Sequence, residues 1–280
     1  MLKNFIHLVL SFIAFSLAYS IAFLTEIDLV KNAVLYAFII QWILFVPAYL
    51  FKTEKFYDLS GSFTYVFVVS SILYIQFTVS GLSVGNIIIG SCIIIWAVRL
   101  GTFLFFRIKK AGKDKRFDEI KTSASRFFMT WTLQGMWVSI CSACALAAIS
   151  SAKGVEINML FYIGLVCFLI GFIIEIIADN QKTKFREDPK NKDNFISSGL
   201  WAYSRHPNYL GEIVLWLGVS IMAVSSLSGA QYITLISPVF TYVLLVYISG
   251  VRILEANGKE KWGNLETYQE YLKTTPALIF

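Results

Sequence analysis

Residues 157–190 read INMLFYIGLVCFLIGFIIEIIADNQKTKFREDPK. No charge interrupts the run from Ile157 to Ile174. A helix rises about 1.5 Å per residue, so roughly 20 apolar residues cross about 30 Å of hydrocarbon. The stretch therefore predicts a transmembrane helix over about 157–180. Its end is polar in a set order: Glu175, Asp179, Lys182 and Arg186 follow at helical spacing and form one continuous stripe. The stripe starts below the interface and runs out into a basic loop. Two readings fit it. One is a polar track that holds a ligand's hydroxyls at depth and its phosphates at the mouth. The other is a ladder in which Asp179 and Lys182 neutralise each other.

The same test applied outward gives seven more spans, at approximately 5–24, 33–51, 62–80, 85–107, 127–150, 208–227 and 230–252. The fifth, 127–150, is the weakest, because Gln134 lies among small Ser, Cys and Ala residues. Seven spans plus one partly buried helix is the alternative. The expected fold is thus an all-α, polytopic bundle with seven or eight transmembrane helices. Composition agrees: 57% of the 280 residues are apolar and only 15% charged, against about 25% charged in soluble domains. The first apolar stretch is longer than the roughly 7–15 residues of a signal-peptide core and is followed by more spans, so it reads as the first helix.

The net charge of +6 could suggest nucleic acid, but its distribution points to topology. With the N-terminus placed in the cytosol, 21 of the 24 Lys and Arg fall in cytosolic segments. Lys31 and Lys153 lie outside, and Arg99 lies within a span. This is the positive-inside pattern with both termini cytosolic, and it requires no acidic partner. The chain is expected to be an integral multi-pass protein of a bacterial inner membrane or the endoplasmic reticulum. Its partners would be membrane lipids and a lipid-soluble substrate, with no nucleic acid.

Several chemistries lack their residues. With only His7 and His206, a histidine-built metal site is not expected. No G-x-S-x-G, G-x-G-x-x-G or Walker motif occurs. Cys141 and Cys144 form a C-x-x-C, but in a Ser/Ala-rich helix where small residues serve close helix packing.

An ionisable group inside a span is costly and marks a functional candidate. Besides Glu175 and Asp179, the stretch G-L-W-A-Y-S-R-H-P-N-Y-L-G-E over 199–212 stands out. Pro207 suits the first position of a helix, which puts Asn208 and Glu212 on one face. Arg205 and His206 stand just before that N-terminus, a natural site for phosphate or carboxylate. Trp201 and Tyr203 are either an aromatic belt or groups that meet a base or ribose. Arg99 either snorkels to the headgroups or serves as counter-ion to Glu175 or Glu212. Gln134 reads first as a helix–helix hydrogen bond. Glu54 and Asp58 flank a turn before the third span. The amphipathic end beyond Arg252, with Tyr268 and Tyr271 on one side, either folds back as a lid or lies in the interface.

The 199–212 motif, the E-x-x-x-D…F-R stretch before it, the Y-x-x-Y-x-x-x-T after it and the R-L-G-T-F-L-F-x-R…D-K-R-F-D run at 99–118 resemble the steroid 5-alpha-reductase C-terminal-domain superfamily, in particular its mostly microbial membrane branch. The resemblance covers roughly 50–280 and is strongest over 175–215. It implies one membrane domain over 1–280. Residues 1–95 are the less well matched spans, and 96–280 the cofactor-binding core. It also implies an NADPH-dependent reductase that passes hydride to the polarised double bond of an enone in a lipid or steroid-like substrate. Matching motif positions, Asp179 and Asn208 would hold the nicotinamide–ribose end, and Arg186 with Arg205 would meet phosphate. Glu175, Tyr203, His206 and Glu212 would line the pocket, and the tail around Arg252 and Tyr268 would close it. For the catalytic acid, Glu54, Asp58 and Tyr65 are the candidates, with Tyr57 beside them; none of these maps onto the family's carboxylate and tyrosine. A membrane methyltransferase is the alternative, since R-H-P-x-Y and a later glutamate, here Glu255, also suit S-adenosylmethionine. A non-enzymatic lipid-binding protein on the same scaffold is the third reading.

Overall fold

A computed structural model describes residues 1–279, with Lys115 described by its backbone alone. Among the described residues there is no strand, and eight helical segments are long and apolar enough to cross a membrane. The helices are α1 (Leu2–Leu24), α2 (Asp28–Leu50), α3 (Tyr57–Ser80), α4 (Val84–Ala111), α5 (Ala124–Ile149), α6 (Met159–Glu187), α7 (Pro207–Ala223), α8 (Ser237–Val243), α9 (Val251–Trp262) and α10 (Glu266–Thr274). The chain forms two compact units. One holds residues 1–161 with 222–237, the other residues 162–221 with 238 onward.

In the first unit, local signals set the helix ends. Ser83 caps α4 by accepting a hydrogen bond from the Asn86 amide, and Ser123 caps α5 through the Arg126 amide. Helix α5 shares the lowest hydropathy of the eight segments with that of α7, as expected of the weakest span, and is still long and apolar enough to cross a membrane. Of its apolar window, 89% is buried, against 28–33% for α1 to α4. Its small Ser, Cys and Ala residues let α1, α2 and α3 pack closely around it. Lipid tails are as apolar as leucine, so close packing and interhelical hydrogen bonds drive this association, rather than hydrophobicity.

In the second unit, α6 and α7 touch backbone to backbone. A Cβ on Gly211 would lie 2.6 Å from the Gly171 carbonyl oxygen and 2.7 Å from the Glu175 amide nitrogen. Seven residues along α7, a Cβ on Gly218 would lie 2.6 Å from the Gly164 carbonyl. Glycines two turns apart on both helices thus form the seam, which sets Glu175 of α6 against the Gly211–Glu212 step of α7.

The eighth span is not the single regular helix expected over 230–252. It runs as a 3-10 stretch (Gly229–Ile236), then α8, then a π turn (Leu244–Ile248), and breaks at Gly250. Pro238 lacks an amide hydrogen at the start of α8. The Ser249 amide reaches back five residues to the Leu244 carbonyl. Gly250 cannot carry a side chain, since a Cβ would fall 2.3 Å from the Leu245 carbonyl and 2.8 Å from the Tyr209 ring. Beyond the break α9 is polar and carries Glu255 and Lys259.

Candidate functional site

The stripe on α6 runs from buried to exposed residues. Glu175 and Asp179 are buried, and Arg186 is exposed near the end of the helix. The Lys182 ammonium lies 4.3 Å from the centre of the Trp201 ring. Trp201 is itself buried, and its indole donates to the Ala178 carbonyl at 3.1 Å. Trp201 therefore fastens the 199–206 segment to α6, whereas Tyr203, 79% exposed, projects outward.

Arg205 and His206 meet a residue that spacing alone did not connect to them. The Arg205 Nε donates to Glu255 Oε1 at 3.0 Å, and its Nη2 to Oε2 at 3.2 Å. The His206 Nε2 lies 2.8 Å from the same Oε1. The Arg205 Nη1 donates to the carbonyls of Leu272, at 3.1 Å, and Thr275. Those carbonyls end α10 and lack helical partners of their own. A cation at a helix C-terminus is favourable for both reasons.

The tail therefore folds back, as one of its two readings expects. The Arg205 amide donates to the Pro276 carbonyl at 2.9 Å, and the Tyr271 hydroxyl to the Trp201 carbonyl at 2.6 Å. The Thr275 hydroxyl donates to the Ala202 carbonyl and the Ser204 hydroxyl to that of Ala277. Phe195 packs its ring against Trp262, Tyr268 and Tyr271. Burial raises the pKa of both the Tyr268 and Tyr271 hydroxyls, so both stay protonated. Arg205 was expected to meet phosphate; its guanidinium is directed at Glu255 and the tail carbonyls. Arg252 is exposed in the first turn of α9.

His206 is 5% exposed, and its ring stacks on Tyr209 with centres 5.9 Å apart. Burial lowers its pKa from 6.5, against the raising effect of Glu255 and with help from Lys182 and Arg205. The imidazole is thus neutral near pH 7. Its Nδ1 is buried with no hydrogen-bond partner in the protein. Asn208 follows one position into α7, half-buried, and Glu212 is buried one turn on.

The candidates for a catalytic acid lie in the first unit. Glu54 is buried and serves the 112–122 loop: Oε1 accepts from the Asp114 amide at 3.0 Å and Oε2 from Lys121 at 2.7 Å. The Tyr65 hydroxyl donates to the Trp137 carbonyl at 3.4 Å, and its ring meets Trp96 and Trp137 edge to face. The Tyr57 hydroxyl donates to the Thr130 carbonyl. Asp58, in the first turn of α3, has its Oδ2 buried with no hydrogen-bond partner, within the field of Arg116 and Arg107. Arg99 lies over the Phe103 ring, 5.0 Å from its centre.

Comparison with known proteins gives these residues a context. The chain is similar to a Delta(14)-sterol reductase of Arabidopsis thaliana, 31% identical over 122 residues, which are 40% of this chain and 31% of that protein. It is similar to the steroid 5-alpha-reductase DET2 of the same plant, 26% identical over 42% of this chain and 40% of that one. A probable O-methyltransferase, ustE of Ustilaginoidea virens, is 24% identical over 32% of each chain. The chain thus spans less than half the length of the curated relatives it matches. No solved structure matches. The family described as "Protein of unknown function (DUF1295)" matches residues 41–275. This multi-pass membrane protein belongs to the DUF1295 family, which is steroid 5-alpha-reductase-like.

Proposed function

We propose that the protein is an NADPH-dependent reductase that saturates a polarised carbon–carbon double bond in a sterol-like lipid. The observation that carries this reading is the glycine seam between α6 and α7. It brings the helix bearing Glu175 and Asp179 against the helix that starts Arg205-His206-Pro207-Asn208. Buried acids of this kind mark function in an apolar bundle, and the sterol and steroid reductase relatives supply the reaction class.

The residues fit a dinucleotide. His206 presents a buried, unpartnered ring nitrogen, and such atoms in native proteins call for a partner. Asp179 and Asn208 would hold the ribose and carboxamide end, and Glu175, Tyr203 and Glu212 would line the cofactor. Arg186 would face the phosphates, and the strap from Arg252 to Tyr268 and beyond would cover it. When bound, NADPH supplies the hydride. The chain's own part is to orient the cofactor, exclude water and provide a proton. Of the first unit's candidates for a proton donor, Glu54 is engaged by the 112–122 loop and the Tyr65 hydroxyl by a backbone carbonyl, while Asp58 keeps one oxygen without a hydrogen-bond partner. The distribution of cations supports cytosolic termini and a cytosol-facing cofactor site.

Profiling the lipids of cells with and without the protein tests the reaction. Accumulation of a species lighter by about 2 Da in the deficient cells, the two hydrogens of one reduction, is the expected result. A difference of one methyl group instead supports the second reading, an S-adenosylmethionine-dependent methyltransferase, which the O-methyltransferase relative favours.

A further inference from the structure

We infer that Glu255 is a positioning residue. It locks His206 as the Nε2–H tautomer and so turns Nδ1 into a buried acceptor for an N–H or O–H donor of the bound ligand. The inference rests on the reading of this unit as a dinucleotide site and adds what one face of that site requires of its ligand.

Arg205 sets the charge state of Glu255. Its guanidinium is always charged and presents a rigid fork. The fork reaches both oxygens of Glu255, at 3.0 and 3.2 Å, so Glu255 is an ionised carboxylate that only accepts. His206 Nε2 lies 2.8 Å from Oε1 of that carboxylate and must therefore donate. A neutral imidazole that donates from one nitrogen holds a lone pair on the other. That other nitrogen is Nδ1, buried and without a protein partner in a residue that is 95% covered. Around the ring, Lys182 and Arg205 are the nearby positive charges, Glu255 is the negative one, and Tyr209 stacks on one face. None of them offers Nδ1 a hydrogen bond. Leaving a buried acceptor unmade is unfavourable, and a ligand donor such as a carboxamide N–H or a ribose hydroxyl completes it.

The chain has only two histidines, which makes the test direct. Protein labelled with 15N-histidine gives two imidazoles, and His7→Gln identifies the signals of His206. In the ligand-free protein at neutral pH the expected state is Nε2 protonated and Nδ1 unprotonated. A protonated Nδ1, in the other tautomer or in imidazolium, overturns the inference. In Glu255→Gln, whose amide can also donate, the two tautomers should mix and NADPH affinity should fall on the order of tenfold. Glu255→Asp should restore the single tautomer if it folds. A pure Nε2–H tautomer in a folded Glu255→Gln overturns the role of Glu255. NADPH and S-adenosylmethionine are then added separately, with thermal stabilisation as the sign of binding. A ligand that stabilises the protein and moves the Nδ1 resonance in the direction of an accepted hydrogen bond supports the inference. One that stabilises the protein and leaves Nδ1 unmoved overturns the acceptor role. Stabilisation by S-adenosylmethionine alone, with Nδ1 moved, overturns the reductase reading while the inference stands. If neither ligand stabilises the protein, the reductase reading and the ligand half of the inference both fall.

Discussion

The two compact units solve the same problem, polar groups inside an apolar bundle, in different ways. The helix interior of the first unit uses neutral amides and hydroxyls. Gln41 donates to the Thr64 hydroxyl at 2.8 Å and to the Ser60 carbonyl at 3.3 Å. Gln134 donates to the Tyr57 carbonyl at 3.1 Å and accepts from the Ser60 hydroxyl at 3.2 Å. Trp42 donates to the Thr132 hydroxyl. Ionisable side chains in that unit concentrate near helix ends, as with Glu54 and Lys121. The second unit buries Glu175, Asp179, His206 and Glu212 and ties Glu255 to Arg205 and His206. Neutral groups suffice to hold helices together. Titratable groups in hydrocarbon are far more expensive, so a unit rich in them is doing something besides holding its shape.

Breaking the seam of the second unit should have the largest effect. Gly211→Leu drives a side chain into the α6 backbone, which cannot move aside as a flexible side chain would. A loss of about 3 kcal/mol or more is expected, read as a fall in thermal unfolding temperature in detergent with loss of any NADPH-dependent stabilisation. Next is Arg205→Ala, which leaves Glu255 without its fork and the α10 carbonyls without their donor. Because both partners keep some solvent contact, the cost is expected near 2 kcal/mol, below that of a fully buried pair. Limited proteolysis should then cut the 271–277 strap before the rest of the chain.

Gln134→Leu sharpens the contrast from the other side. Interhelical hydrogen bonds in membranes average about 0.6 kcal/mol, so the variant should lose roughly that amount and keep its cofactor response unchanged. A collapse of the first unit would show that its neutral network carries more than packing. The smallest effect is in pH. The folded state holds His206 below its ordinary value of 6.5, chiefly by burial. Its contribution to stability is therefore complete above 6.5 and is lost as pH falls from 6.5 through the folded value. The stability of His206→Gln should be flatter over that window than that of the parent protein.

Most of the fold was legible from hydropathy, because a membrane allows few structures other than helices with satisfied backbones. The exceptions are instructive. Span five looked weak because Gln134 lies in it among small residues, yet the small size of Ser139, Cys141, Ser142, Ala143 and Cys144 suits the centre of a bundle. Gly171 and Gly211 were visible as small residues, but their pairing depends on a long-range approach that periodicity does not encode. The motif at 199–212 drew attention to Arg205 and His206. Their partner Glu255 lies about fifty residues away, beyond any local spacing rule. The methyltransferase reading set it beside R-H-P-x-Y, but as a group for S-adenosylmethionine rather than as the partner of Arg205 and His206.

The second unit is proposed to be a dinucleotide site, and the binding of NADPH to purified protein tests this most directly. The prediction is clear thermal stabilisation of the parent protein by NADPH and none by S-adenosylmethionine, with the NADPH effect lost in Asp179→Asn and Asn208→Ala variants that remain folded. Equal stabilisation of the parent and both variants, or stabilisation by S-adenosylmethionine alone, would contradict it.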